Sequence, residues 1–210
     1  MTPSTSPHLV YVADPMCSWC YGFAPQLDEV LASTDLDLRL VMGGLWAGDN
    51  VVADDELRSY LTATWKRVEE ISGQPFKHDA LERLVRDGWV YDTALACEAV
   101  IALRSAQLEH TKTLFSAIQR AFYANGQDVT RPDVLEAIQR DLDLPPPTEV
   151  DLTPPPSLGD DMAVARRLGA RGFPVLFLAV PDAGTLFEYV PLATGYTSAA
   201  QIKRRLAVFS

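Results

Sequence analysis

Two of the three cysteines stand two residues apart, in Cys17-Ser18-Trp19-Cys20. Three cysteines scattered over a chain of this size would show that spacing about 3% of the time, by counting positions. A two-residue spacer lets two sulfurs meet at bonding distance. At the start of a helix, the first sulfur would face unsatisfied backbone N–H groups and the positive end of the helix dipole, both of which favour thiolate over thiol. Cys20, one turn further on, is then placed to attack a mixed disulfide formed at Cys17. Ser18 can donate a hydrogen bond to the Cys17 thiolate, and Trp19 offers apolar surface to an extended partner. Two other readings stand beside this one. The pair could be half of a zinc site, for which the chain offers only Cys97, His8, His78 and His110 as further ligands and no second close pair. It could also be two unreactive core cysteines.

The second candidate piece is Gly172-Phe173-Pro174-Val175, which leads into an apolar run. Proline is tolerated at the first residue of a strand. On the residues alone the Phe173–Pro174 peptide is expected to be trans, because cis is rare even before proline. A cis bond would turn the preceding carbonyl and N–H toward a neighbouring site. Cys97, within Ala94–Val100, reads as core packing, and Tyr91-Asp92 as a helix start rather than a border of the site.

The elements that would position these residues follow from periodicity. Leu9 to Ala13 reads as a buried strand, broken by Asp14-Pro15. A helix is expected from Cys17 to Leu31, kinked or divided at Pro25. Leu36 to Met42 is a strand stopped by Gly43-Gly44. Apolar spacing then predicts helices over residues 54–71, 80–85, 92–106, around 114–122, and from Thr130-Arg131-Pro132-Asp133 to Leu142. Pro145-Pro146-Pro147 and Pro154-Pro155-Pro156 frame an extended connector. A helix over 158–168 ends at Gly169, Val175–Val180 and Leu186–Val190 form a hairpin, and a last helix starts at Ser198 with Gln201 at capping-box spacing. The order is α/β, then about ninety residues of helix, then α/β again.

Eighteen Lys and Arg against 28 Asp and Glu give a formal charge of −10. That average field repels nucleic acid and anionic membranes. No run of eighteen apolar residues is present, and Met1 to Val10 carries neither a basic cluster nor an apolar stretch of signal-peptide length. The expected compartment is the cytoplasm, where thiols are held reduced.

A Cys-x-x-Cys after the first strand, a helical interruption and a Gly-x-Pro before the hairpin together resemble the DsbA-like branch of the thioredoxin superfamily. Asp14-Pro15-Met16-Cys17-Ser18-Trp19-Cys20-Tyr21-Gly22-Phe23 and Arg167-Leu168-Gly169-Ala170-Arg171-Gly172-Phe173-Pro174 are similar to the FrnE-type, predicted disulfide-isomerase group within it. The resemblance implies an α/β thioredoxin fold with a large all-helical insertion. Residues 1–52 and 157–210 would form the thioredoxin-like domain, 53–144 the insertion and 145–156 the Pro-rich connector. It further implies that Cys17 is the nucleophile, that Cys20 resolves, that Pro174 is cis and packs opposite the sulfurs, and that the Phe173 backbone binds extended substrate beside Trp19 and Ser18.

Periplasmic oxidants of this branch carry a Pro-His spacer, whereas this chain has Ser18-Trp19; with thiols held reduced in the expected compartment, a reductase or isomerase working on protein or peptide disulfides is expected. No metal or bound cofactor is expected, with glutathione a candidate reductant. The alternative is a glutathione-dependent transferase or isomerase of the kappa or 2-hydroxychromene-2-carboxylate isomerase type, which generally places serine at the nucleophile position. A third reading is a peptide-binding module with vestigial thiols.

Overall fold

The computed structural model describes residues 6–85, 88–144, 156–182 and 187–209. Strand β1 (His8–Ala13) leads into helix α1 (Ser18–Leu31) and strand β2 (Leu38–Met42). A largely helical stretch follows, with β3 (Val51–Val52), α2 (Asp55–Ser72), α3 (His78–Leu84), β4 (Val90–Tyr91), α4 (Ala94–Ala106), a 3-10 turn at Leu108–His110, α5 (Thr111–Tyr123) and α6 (Pro132–Asp141). The chain closes with α7 (Leu158–Arg167), β5 (Val175–Pro181), β6 (Phe187–Thr194) and α8 (Ala199–Leu206). The main sheet has the order β2-β1-β5-β6, with β1 parallel to β2 and antiparallel to β5. This is a thioredoxin fold with a large helical insertion between β2 and α7.

Every residue of β1 is buried, because the strand is covered on both faces. Its alternate side chains go to different cores. Leu9, Tyr11 and Ala13 join the large cluster shared with α1 and the helical insertion. Val10 and Val12 face a smaller cluster with Val41, Ala165, Val175 and Phe177. In the insertion, Trp65 is fully buried and surrounded by Phe76, Phe122 and Tyr123, with ring centroids 5.2–5.7 Å away.

Five elements differ from the sequence reading. Helix α1 is not divided at Pro25 but runs unbroken from Ser18 to Leu31. Proline has no N–H, so the Tyr21 carbonyl loses its partner within the helix. Gln74 of the insertion donates its Nε2 to that oxygen at 3.4 Å instead. Val51–Val52 and Val90–Tyr91, for which no strand was expected, pair as short antiparallel strands. Helix α3 begins at His78 rather than at Ala80. Strand β6 runs on past Val190 to Thr194 through Pro191. It stands at the sheet edge, where a missing N–H is tolerated, and the register slips by one residue between Leu176 and Phe177 as at a bulge. The Pro-rich connector lies outside the described residues except for Pro156, and the tip of the hairpin, residues 183–186, lies outside them too.

The opposite edge strand, β2, is tied down by charge. Asp161 of α7 accepts from the Met42 N–H at 2.7 Å, while Arg104 of α4 donates to the Leu40 carbonyl at 2.6 Å. The two side chains meet in a bidentate pair at 2.7 and 2.9 Å. Backbone groups that an edge strand leaves open are thereby satisfied from two helices at once.

Candidate active site

The loop between β1 and α1 is built on Asp14. Its fully buried carboxylate accepts from the Met16 N–H at 2.8 Å, the Leu45 N–H at 2.7 Å and the Cys97 thiol at 3.3 Å. Burial pushes the Asp14 carboxyl above its ordinary range, and the backbone N–H groups of Leu45 and Met16 pull the other way. The Asp14 carbonyl accepts from the Cys17 N–H at 3.1 Å, which closes a turn and delivers Cys17 to the N-cap of α1. Asp14 entered the sequence reading only as a strand breaker. Its role here is to hold together the Asp14–Cys17 turn, the loop after β2 and the third cysteine.

Cys17 has extended backbone angles (φ −90°, ψ 115°), and its carbonyl accepts the first helical bond, from Tyr21 N–H at 3.1 Å. Its thiol points at the carbonyl of Phe173, 3.8 Å from Sγ to O. No hydrogen bond joins Ser18 to Cys17 among the described residues; Ser18 begins α1 and is half-buried. Cys20 lies one turn below. Cys17 keeps 5% exposure and Cys20 none. Burial first, then the hydrogen bond to Cys17, push the Cys20 thiol well above its ordinary value. All three cysteines are free thiols. The arrangement gives one sulfur at the rim of the site and a second, harder to ionise, directly beneath it. Among the described residues no group of three His, Cys, Asp or Glu side chains could hold a metal ion.

Facing the sulfurs, the Phe173–Pro174 peptide is cis. The residue-level expectation of a trans bond was wrong, whereas the resemblance implied cis. The Phe173 ring lies over Gly43, where a Cβ would come within 2.0 Å of it. Gly43 therefore makes room for the residue whose carbonyl meets Cys17, beyond ending β2. The carbonyl of Pro174 accepts from Gly195 N–H at 2.8 Å, which ties this turn to the end of β6. Trp19 is half-buried and packs edge-on against Tyr196, with centroids 6.4 Å apart. Beyond Phe173 a groove of about 490 Å³ is lined by Arg171, Phe177, Pro191 and Thr194 among others. Cys17, Cys20, Trp19, Phe173 and Pro174 are thus brought to one end of the sheet.

Sequence reasoning missed two residues at the site and discounted a third. The carbonyl of Met16, directly before Cys17, accepts from both Tyr91 at 2.6 Å and Tyr123 at 2.5 Å. Burial pushes both phenols up, so they remain donors. Tyr123 and Tyr196 gave no signal beyond their aromatic type. Tyr91 had been read as part of a helix start, and that reading holds only for its neighbour: the Asp92 side chain accepts from Ala94 N–H at 2.8 Å.

No family model matches the sequence, and no curated protein does. Solved structures do. A candidate protein disulfide isomerase from Nitrosomonas europaea shares 31% identity at a TM-score of 0.81, with 97% of each chain covered. The cytosolic disulfide reductase DsbM from Pseudomonas aeruginosa shares 28% identity at a TM-score of 0.74, covering 96% of this chain and 98% of that one, and a second structure of it contains glutathione. A DsbA-type oxidoreductase from Streptomyces coelicolor, at 16% identity and a TM-score of 0.65 over 96% of this chain and 89% of that one, shares the fold.

Proposed function

From the premise that this chain belongs to the DsbA-like thioredoxin-fold oxidoreductases, we propose that it is a dithiol reductase or isomerase of protein and peptide disulfides, with Cys17 as nucleophile and Cys20 as resolving thiol. The observation that carries this reading is the stacked pair: Cys17 at the rim against the Phe173 carbonyl, with Cys20 fully buried one helical turn on.

The steps follow from that order. The Cys17 thiolate attacks one sulfur of a substrate disulfide. A mixed disulfide forms, the substrate S–S bond breaks, and the departing sulfur takes a proton. An extended substrate lies along the turn before Pro174, with the backbone of Phe173 as its partner and Trp19 beside it. In reduction, Cys20 loses its proton and attacks Sγ of Cys17, which releases the second substrate thiol and leaves a Cys17–Cys20 disulfide. In isomerisation, a substrate thiol attacks the mixed disulfide instead, and Cys17 returns as thiolate with no net oxidation.

A reduced resting pair needs a reducing compartment, and the cytosolic glutathione poise of about −220 to −320 mV meets that need. We assign the protein to the cytoplasm and name glutathione as the co-reductant: two glutathiones reduce the Cys17–Cys20 disulfide and leave as glutathione disulfide. The cytosolic reductase with its glutathione-containing structure supports both assignments.

The test is a redox titration in glutathione buffers, with free thiols counted by alkylation and mass spectrometry. Cys17 and Cys20 should be lost together, at a midpoint on the reducing side. A glutathione adduct on Cys17 with no internal pairing would overturn the dithiol reading, and a strongly oxidising midpoint would overturn its direction. Cys20→Ser should trap the mixed disulfide and end reductive turnover. Continued glutathione conjugation by that variant would point to a transferase.

A further inference from the structure

The Met16 carbonyl lies outside the helix, since the first intrahelical bond is accepted by Cys17. Met16, Tyr91 and Tyr123 are each 1% exposed or less, so water is no partner for that oxygen. A buried carbonyl without a donor is costly, and one donor removes most of the cost. Here there are two, from separate elements of the insertion: Tyr91 from β4 and Tyr123 from the end of α5. Satisfying a buried acceptor explains one phenol. Two phenols on one oxygen fix the plane of the peptide, and that peptide's N–H belongs to Cys17 and donates to the Asp14 carbonyl.

We infer that Tyr91 and Tyr123 are positioning residues for Cys17, holding the Met16–Cys17 peptide from both lone pairs of its carbonyl so that the nucleophilic sulfur is aimed and its thiolate stabilised through that peptide. This rests on Cys17 being the nucleophile. Two mechanisms act together. Donors on the oxygen draw electron density along the amide and leave the Cys17 N–H end more positive. The hydroxyl protons also direct their positive ends toward the loop that carries the sulfur, in a water-free setting where oriented dipoles act strongly.

The test uses the full chain with Tyr91→Phe, Tyr123→Phe and both together, since phenylalanine keeps the ring packing. The readout is the pH dependence of Cys17 alkylation by iodoacetamide, located by mass spectrometry, with thermal melting followed in parallel. The two single variants should slow alkylation at neutral pH by roughly two- to threefold, because the remaining phenol still holds the carbonyl. The double variant should slow it by about tenfold or more and move the alkylation profile to higher pH. Melting would report lost stability, but stability loss alone would not move the pH profile. A folded double variant with the parent's profile overturns the inference. If the double variant does not fold, the singles decide: unchanged profiles in both overturn it as well. Failure of the premise that Cys17 is the nucleophile looks different, since Cys17 would then not be preferentially alkylated in the parent protein, and failure of the dithiol pairing alone shows in the redox titration and leaves this readout intact.

Discussion

The sheet half and the helical half of this molecule contribute different kinds of atom to the same site. The sheet half supplies the atoms that the proposed mechanism has react or touch substrate: both sulfurs, the Phe173 carbonyl and the Trp19 ring. The helical half supplies partners for groups that the sheet half leaves open. Gln74 takes the carbonyl freed by Pro25, Tyr91 and Tyr123 take that of Met16, Cys97 donates to Asp14, and Arg104 binds Leu40 and Asp161. The insertion thus both covers these polar groups and supplies their partners. The insertion is therefore part of what makes the active-site loop stable, as well as a wall beside it.

That division is open to direct attack. Changes in the sheet half should cost chemistry with the fold retained, and changes in the helical half should cost stability first. The largest effect is expected for Cys17→Ala, which should lower disulfide-reductase turnover by about a thousandfold or more while thermal melting stays close to that of the parent. Arg104→Ala should come next. It strands Asp161 in a pair whose side chains are 17% and 9% exposed, and breaking such a pair costs about 3–5 kcal/mol. A denaturant midpoint that fell at constant slope would report this, and an unchanged midpoint would mean that the halves are less interdependent than the hydrogen bonds suggest.

Gln74→Ala is a finer probe. It leaves the Tyr21 carbonyl without its donor and should cost about 1 kcal/mol in the same measurement. The smallest effect belongs to a pair wholly within the insertion. Glu69 accepts from His78 at 2.8 Å, and that bond holds its carboxyl below the ordinary value of 4.5. A depressed carboxyl stabilises the folded chain above its unfolded value, and the gain is lost as pH falls through the folded one. The parent should thus lead His78→Ala slightly at neutral pH, and the lead should fade below about pH 4.5. The pair is partly exposed, which keeps the lead small.

Much of the sheet half was legible in the sequence because its signals are local. The apolar run before Asp14-Pro15, the spacing of Cys17 and Cys20, and a proline opening β5 each lie within a few residues. The helices of the insertion were legible from their periodicity, though α3 begins two residues earlier than expected. What stayed hidden depended on distance along the chain. Tyr123 meets Met16 across 107 positions and Gln74 meets Tyr21 across 53. No window of sequence contains both partners of either contact. The continuity of α1 through Pro25 stayed hidden for the same reason, because a helix breaker is tolerated when a distant side chain fills the gap. The cis state of Pro174 could not be read from its own residues and came only with the resemblance.

The contact between Cys17 and Phe173 spans 156 positions, and it has a consequence for the order in which the protein is made. A ribosome adding about 5–20 residues per second needs roughly eight to thirty seconds to travel that far. Throughout that interval the two cysteines are already synthesised, while the turn that faces them and the last two strands of the sheet are not. The growing chain therefore carries a pair of uncovered thiols long before it carries an active site. Where glutathione keeps thiols reduced this delay is harmless; where disulfides form readily, the same pair would be open to premature pairing with each other or with passing chains.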